Sequence, residues 1–115
     1  MTMPEPSRGD VWTVDLNPTQ GHEQAGRRPG LVVSVDLFNH GPAALVIILP
    51  ITTVAKSIPF HVEVSPPEGG LRQRSFVKCE DVRSVAKERL LRRHGAVSPQ
   101  TMAAVEDRLR ILLDL

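Results

Sequence analysis

Residues 30–51 read GLVVSVDLFNHGPAALVIILPI, and the way this stretch divides decides the fold. Leu31 to Val35 is a near-continuous apolar run. Ala44 to Ile51 is the most apolar segment of the chain and rich in β-branched residues. Short apolar runs of this composition, bounded by Gly and Pro, read as two central strands. Asp36 to Pro42, with Phe38-Asn39-His40-Gly41-Pro42, is a turn. So short a connection joins antiparallel neighbours, because a parallel pair needs a crossover of a dozen or more residues.

Toward the N-terminus, Val11-Trp12-Thr13-Val14-Asp15-Leu16 alternates as a first strand, with either Val11 or the set Trp12, Val14 and Leu16 facing inward. Arg8-Gly9-Asp10 before it reads as a turn at Gly9 with ion-pair or capping groups at a strand start. Pro18 and Gly21 stop the strand. A polar loop, Gly-His-Glu-Gln-Ala-Gly-Arg-Arg-Pro-Gly, then runs from Gly21 into the central strand. A polar loop anchored on a buried strand is where binding and catalytic groups are commonly displayed.

Toward the C-terminus, Thr52-Thr53 ends the second central strand and an irregular piece reaches Pro59. Phe60 to Val64 alternates as a half-exposed strand with His61 on its solvent side, and Ser75 to Glu80 makes a fifth strand after the Pro66-to-Gly70 turn. Lys87 to Arg93 reads as one short helical turn. Ser98-Pro99 starts a helix as N-cap and first residue, and Met102, Val105, Leu109, Leu112 and Leu113 form its apolar stripe. The expected architecture is mainly β with a C-terminal helix, a small curved barrel with the helix packed against it. Residues 1–7 are expected to be a disordered tail before a single domain over 8–115.

Composition excludes several classes. At 115 residues and 41% hydrophobic, the chain has an ordinary single-core composition, with no apolar run near the ~18 residues of a membrane span and a polar start unlike a signal peptide. The lone Cys79 has no disulfide partner in the chain, so it reads as a small buried residue of a protein in a reducing cytoplasm. Net charge is only +1, yet Arg72, Arg74, Lys78, Arg83, Lys87, Arg89, Arg92 and Arg93 stand against only Glu80, Asp81 and Glu88 in one segment. Such a basic face is compatible with a polyanion or with plain solvation. Trp12, Phe38, Phe60 and Phe76 are the only aromatics, too few for a long stacking groove. The four His and one Cys show no metal-ligand spacing, and there is no glycine-rich phosphate loop or nucleophile elbow. No cofactor or metal is expected.

What remains is Arg28 at the start of one central strand and Thr52 at the end of the next. Antiparallel pairing brings these ends to the same edge of the sheet. A guanidinium fork with a hydroxyl beside it is a plausible grip for one phosphodiester.

Arg8-Gly9-Asp10-Val11-Trp12, Val14-Asp15-Leu16, Pro18, Gly21-His22-Glu23-Gln24, Arg28-Pro29 and Pro50-Ile51-Thr52 follow in an order and spacing that resembles the MazF/PemK family of toxin endoribonucleases. Gly70-Leu71, Ser75, Arg83, Lys87-x-Arg89-Leu90 and Gly95 continue the pattern, which covers about residues 7–115. The resemblance implies an SH3-like barrel of the CcdB/PemK/MazF toxin type that forms a homodimer and has a cognate MazE-like antitoxin. It implies metal-independent, sequence-selective cleavage of single-stranded RNA, in which the ribose 2′-hydroxyl attacks the adjacent phosphate to leave 2′,3′-cyclic phosphate and 5′-hydroxyl ends. It assigns Arg28 and Thr52 as catalytic, with Glu23 as a candidate base or positioning group. His22, Gln24, Arg27 and Ser75 become candidate RNA contacts. His22 stands where the family often has Ser, and Asp81 follows Glu80 where members often carry Glu-Gln, a departure that bears on sequence preference. The alternative on the same barrel is a CcdB-like toxin that binds DNA gyrase; the retained Glu23, Arg28 and Thr52 favour the nuclease.

Overall fold

The computed structural model describes residues 5–17 and 26–115. The two apolar runs do supply antiparallel strands, but the first is displaced toward the N-terminus: Arg27 to Pro29 of the expected loop are strand and Val33 to Val35 are not. β2 (Arg27–Val32) pairs with β3 (Leu45–Thr52) in the register Gly30↔Pro50, Leu31↔Leu49 and Val32↔Ile48. The turn between them carries a short helix, α1 (Asp36–Asn39). β1 (Asp10–Asp15) lies antiparallel on the other edge of β2. β4 (His61–Val64) and β5 (Ser75–Lys78) follow the expected segments closely.

Among the described residues seven strands are present where five were expected. β6 (Arg83–Ala86) pairs with the first half of β3, and β7 (Leu90–Ala96) pairs with β1. The helical turn expected over Lys87 to Arg93 is confined to a 3-10 turn at Lys87–Arg89, and the rest is strand, because β1 needs a backbone partner along its outer edge. The sheet order is β4-β5-β3-β2-β1-β7, with β6 also on β3. β3 therefore shares one long edge between β6 and β5, exchanging partners where Pro50, which donates no ladder hydrogen bond, interrupts it. That exchange curls the sheet into a barrel-like form.

The curl buries both faces of the central strands, which explains runs that are apolar throughout instead of alternating. Val11, Leu31, Leu49 and Ile51 join Val62, Val64, Val77, Cys79 and Val105 in one core. Trp12, Val14, Leu16, Val32, Val46, Ile48, Val85 and Leu90 make the other. Both alternatives for β1 are thus buried at once, one on each side. Burial pushes the Cys79 thiol up to about 12, with the Glu80 charge adding to it and Arg108 opposing, so the lone cysteine is an inert core residue.

α2 (Pro99–Leu113) closes the first core through Val105, with Met102 and Leu109 packed beside it. Its stripe stops short of the expected length: Leu113 is 49% exposed, because the helix end has run past the sheet. The start is as expected, with Ser98 Oγ accepting from Thr101 N at 3.1 Å and Pro99 in the first turn. The Glu68 carboxylate reinforces it, accepting from Ser98 N at 2.9 Å and from the Thr101 hydroxyl. Burial opposes its charge, but the Thr101 and Ser98 hydrogen bonds win and hold its pKa below the ordinary range. A carboxyl depressed on folding stabilises above its unfolded pKa and loses that contribution as pH falls through the folded value. Glu68→Gln is therefore expected to lower stability by about 1–2 kcal/mol at neutral pH, with the difference from the parent shrinking below about pH 4. Urea unfolding at pH 7 and pH 3.5 checks this.

The N-terminal segment is a correction in part. Residues 1–4 of the expected tail lie outside the described residues, but 5–7 are docked. Pro6 is buried with its carbonyl accepting from the His40 ring at 2.8 Å, and Glu5 pairs with Lys87 Nζ at 2.8 Å. Arg8-Gly9-Asp10 is structural. Gly9 turns at φ +93°, and the buried Asp10 carboxylate accepts from Ser7 N at 2.9 Å and Trp12 Nε1 at 3.2 Å while pairing with Arg93.

Candidate active site

The β2–β3 register sums to a constant, so continuing it two residues past Gly30↔Pro50 sets Arg28 across from Thr52. Both residues line one open cavity of about 420 Å³. Arg28 is exposed, the second residue of β2, ahead of the part of the strand that is buried. Thr52 ends β3, and its Oγ1 accepts from Val54 N at 3.1 Å. That bond occupies a lone pair and leaves the hydroxyl proton to be donated into the cavity.

Ser75 opens β5 beside Thr52, reached because Thr52 pairs with Phe76. It lines the same cavity and is 2% exposed, with its hydroxyl donating to the Gln73 carbonyl at 2.8 Å. Its proton is already engaged, so Ser75 meets a ligand as an acceptor. Arg27 is exposed, paired in register with Asp15, and is not among the residues lining the cavity. Adjacent strand residues point to opposite faces, which is why two neighbouring arginines part company. Glu23, His22 and Gln24 lie outside the described residues.

Four further ionisable side chains line the cavity, none of them expected there from the sequence: Lys56, His61, Lys78 and Glu80. His61 is a correction. It does alternate away from the buried Val62 and Val64, yet its side chain is only 3% exposed, because that face of β4 is a wall of the cavity and not open water. Its Nε2 lies 2.8 Å from Glu80 Oε2, and its Nδ1 is buried with no hydrogen-bond partner among the described residues. His61 and Lys78 are register partners on β4 and β5, and Lys78 Nζ stands 3.8 Å from Asp81. Among the described residues the lining sets Arg28, Lys56 and Lys78, the last also close to Asp81, beside the one carboxylate of Glu80. Three cations around a small concave site favour an anionic ligand.

Residues 7–113 match the family described as PemK-like, MazF-like toxin of type II toxin-antitoxin system. The chain belongs to the PemK/MazF toxin family. Among its relatives, Endoribonuclease MazF9 of Mycobacterium tuberculosis is 39% identical over 113 residues, covering 94% of this chain and 96% of that protein. Endoribonuclease EndoA of Bacillus subtilis is 34% identical, covering 94% of each. A crystal structure of MazF from Deinococcus radiodurans superposes with a TM-score of 0.86 at 29% identity, covering 98% of this chain and all of that one. An endoribonuclease from a mycobacterial species, solved in complex with its cognate antitoxin, superposes with a TM-score of 0.78 at 28% identity, covering 98% and 97%. The expected barrel is the PemK/MazF fold. The CcdB-like alternative gains no support, since these relatives are named as endoribonucleases.

The cavity brings together Arg28-Pro29 and Ile51-Thr52, two of the pieces on which the sequence resemblance rests. Among the described residues no group of three His, Cys, Asp or Glu side chains is placed to hold a metal ion.

Proposed function

We propose that the chain is the toxin of a toxin–antitoxin pair, a metal-independent and sequence-selective endoribonuclease working as a cytoplasmic homodimer on single-stranded RNA. The observation that carries this is the convergence of Arg28 and Thr52 on one cationic cavity. The RNA supplies its own nucleophile. The 2′-oxygen forms a bond to phosphorus as the bond to the 5′-oxygen breaks, the 2′-proton leaves to a base, and the departing 5′-oxygen takes up a proton. Arg28 stabilises the negative charge that builds on the equatorial oxygens, and Thr52 donates to one of them. Glu23 is assigned as the proton acceptor or positioning group, with His22, Gln24 and Ser75 contacting the RNA. Arg27, on the opposite face, steers the polyanion without touching the scissile phosphate. The cognate antitoxin covers the cationic cavity with an acidic segment that folds as it binds.

Purified protein should cleave single-stranded RNA in EDTA to 2′,3′-cyclic phosphate and 5′-hydroxyl ends, and a single 2′-deoxy substitution at the scissile position should abolish cleavage. Cleavage that requires Mg²⁺, or survives the deoxy substitution, would refute the mechanism. Thr52→Val, which keeps the shape and removes the donor, should slow cleavage by about 10–10²-fold in single-turnover kinetics with little change in binding.

A further inference from the structure

A second cavity of about 420 Å³ lies beside the first, with Pro29 lining both. Its walls include Thr13, Arg72, Arg92 and His94. Three of these positions form a single cross-strand row: Arg92 on β7 pairs with Thr13 on β1, and Thr13 with Pro29 on β2. From Arg92 to Pro29 is two strand spacings, about 10 Å. The row thus leads directly from the second cavity to the edge of the first.

The site is built and not a chance meeting of surface side chains. Arg72 comes from the turn after Gly70, whose backbone is pressed against β7 so closely that a Cβ there would sit 2.1 Å from the His94 carbonyl oxygen. Gly95 meets the same turn from the other side, where a Cβ would lie 2.9 Å from Gly70 N. The His94 ring is hydrogen-bonded through Nε2 to the Thr13 hydroxyl. Arg72 and Arg92 are both exposed, and neither has a carboxylate within ion-pair distance among the described residues. Two guanidinium groups therefore line one concavity with no counter-charge among the described residues.

We propose that this cavity binds a second phosphodiester of the RNA, on the strand that occupies the cleavage cavity, with Arg72 and Arg92 as its two forks. The assignment rests on the nuclease reading for the identity of the strand. An acidic peptide is the competing anion. Phosphodiesters are favoured because they recur along one backbone, so a strand held at Arg28 and Thr52 presents its next groups to a site only a few nucleotides away. Burial, then the Arg92 charge, then the Arg72 charge hold His94 below its ordinary pKa. A bound phosphate would neutralise both arginines and relieve that repulsion, so occupancy has a readout of its own.

The test uses the full-length protein and an oligonucleotide of the cleavable sequence made inert by one 2′-deoxy substitution. Against the parent, Arg72→Ala/Arg92→Ala should bind it about tenfold more weakly, with the slope of log affinity against log salt shallower by about 0.7 for the lost phosphate. On cleavable RNA the double variant should raise KM about tenfold at unchanged kcat, while a dinucleotide substrate too short to reach the second cavity is cut equally by both proteins. In the parent, NMR titration should show the His94 pKa rising when the inert oligonucleotide is bound. An unchanged salt slope and an unshifted His94 would overturn the proposal, as would a loss confined to binding of an acidic antitoxin peptide. Failure of the parent to cut RNA would instead sink the nuclease reading, and the salt slope with the inert oligonucleotide would still decide the second site.

Discussion

Arg28→Ala is expected to slow RNA cleavage by about 10²–10³-fold, the typical loss when one preorganised donor is removed from a developing oxyanion. The change should leave the fold intact. Arg28 is exposed and sits before β2 becomes buried, so its removal makes no cavity, and changes of this kind shift stability by less than about 1 kcal/mol. Arg28→Lys separates charge from geometry. Lysine keeps the charge but loses the planar fork, so it should recover only part of the rate. Single-turnover cleavage of an end-labelled RNA, run beside a thermal melt, reads both effects. Arg28→Ala cleaving within a few-fold of the parent would show that the cavity is not the reaction centre. The Lys56 and Lys78 side chains in the same lining set the floor, since they still attract the strand when Arg28 is absent. The loss should accordingly fall on kcat more than on KM.

How far each part was legible in the residues depended on where its determinants lie. β2 and β3 were readable because both faces of each are buried, so hydrophobicity alone marks them. The capped start of α2 was readable because Ser98 and Pro99 act locally. β6 and β7 were not. Of β7 only Leu90 is buried, and its exposed Leu91, Arg92 and Arg93 give no alternation; it is a strand because β1 supplies its hydrogen bonds. In the site, Arg28 and Thr52 could be brought together from one antiparallel register. Lys78 and Glu80 join them only because β5 docks on the far end of β3, where β6 has let go, and no local pattern announces that exchange of partners. His61 was misplaced for the same reason. Alternation assigned its face correctly, but the covering of that face comes from residues distant in sequence.

Gly70→Ala should be the most damaging single methyl that can be added to this turn, lowering stability by about 3 kcal/mol or more and Tm by about 10 °C. Two effects combine. Gly70 sits at φ +70°, where an L side chain is strained by about 1–2 kcal/mol. Its Cβ would also lie 2.1 Å from the His94 carbonyl oxygen, an overlap with backbone that no rotamer change can relieve. Gly26→Ala separates the two. Gly26 has a similar φ of +78° but, among the described residues, nothing within 4 Å of its would-be Cβ, so it should show the strain alone. Equal losses for the two variants in urea unfolding would mean that the turn yields without effort and that the close approach to β7 is not a constraint. A larger loss at Gly70 carries a functional consequence. The turn can accept the methyl only by lifting off β7, which draws Arg72 away from Arg92 and His94. The surviving folded protein should then cut a dinucleotide normally but bind longer RNA more weakly, reproducing the double arginine variant with both arginines still in the chain.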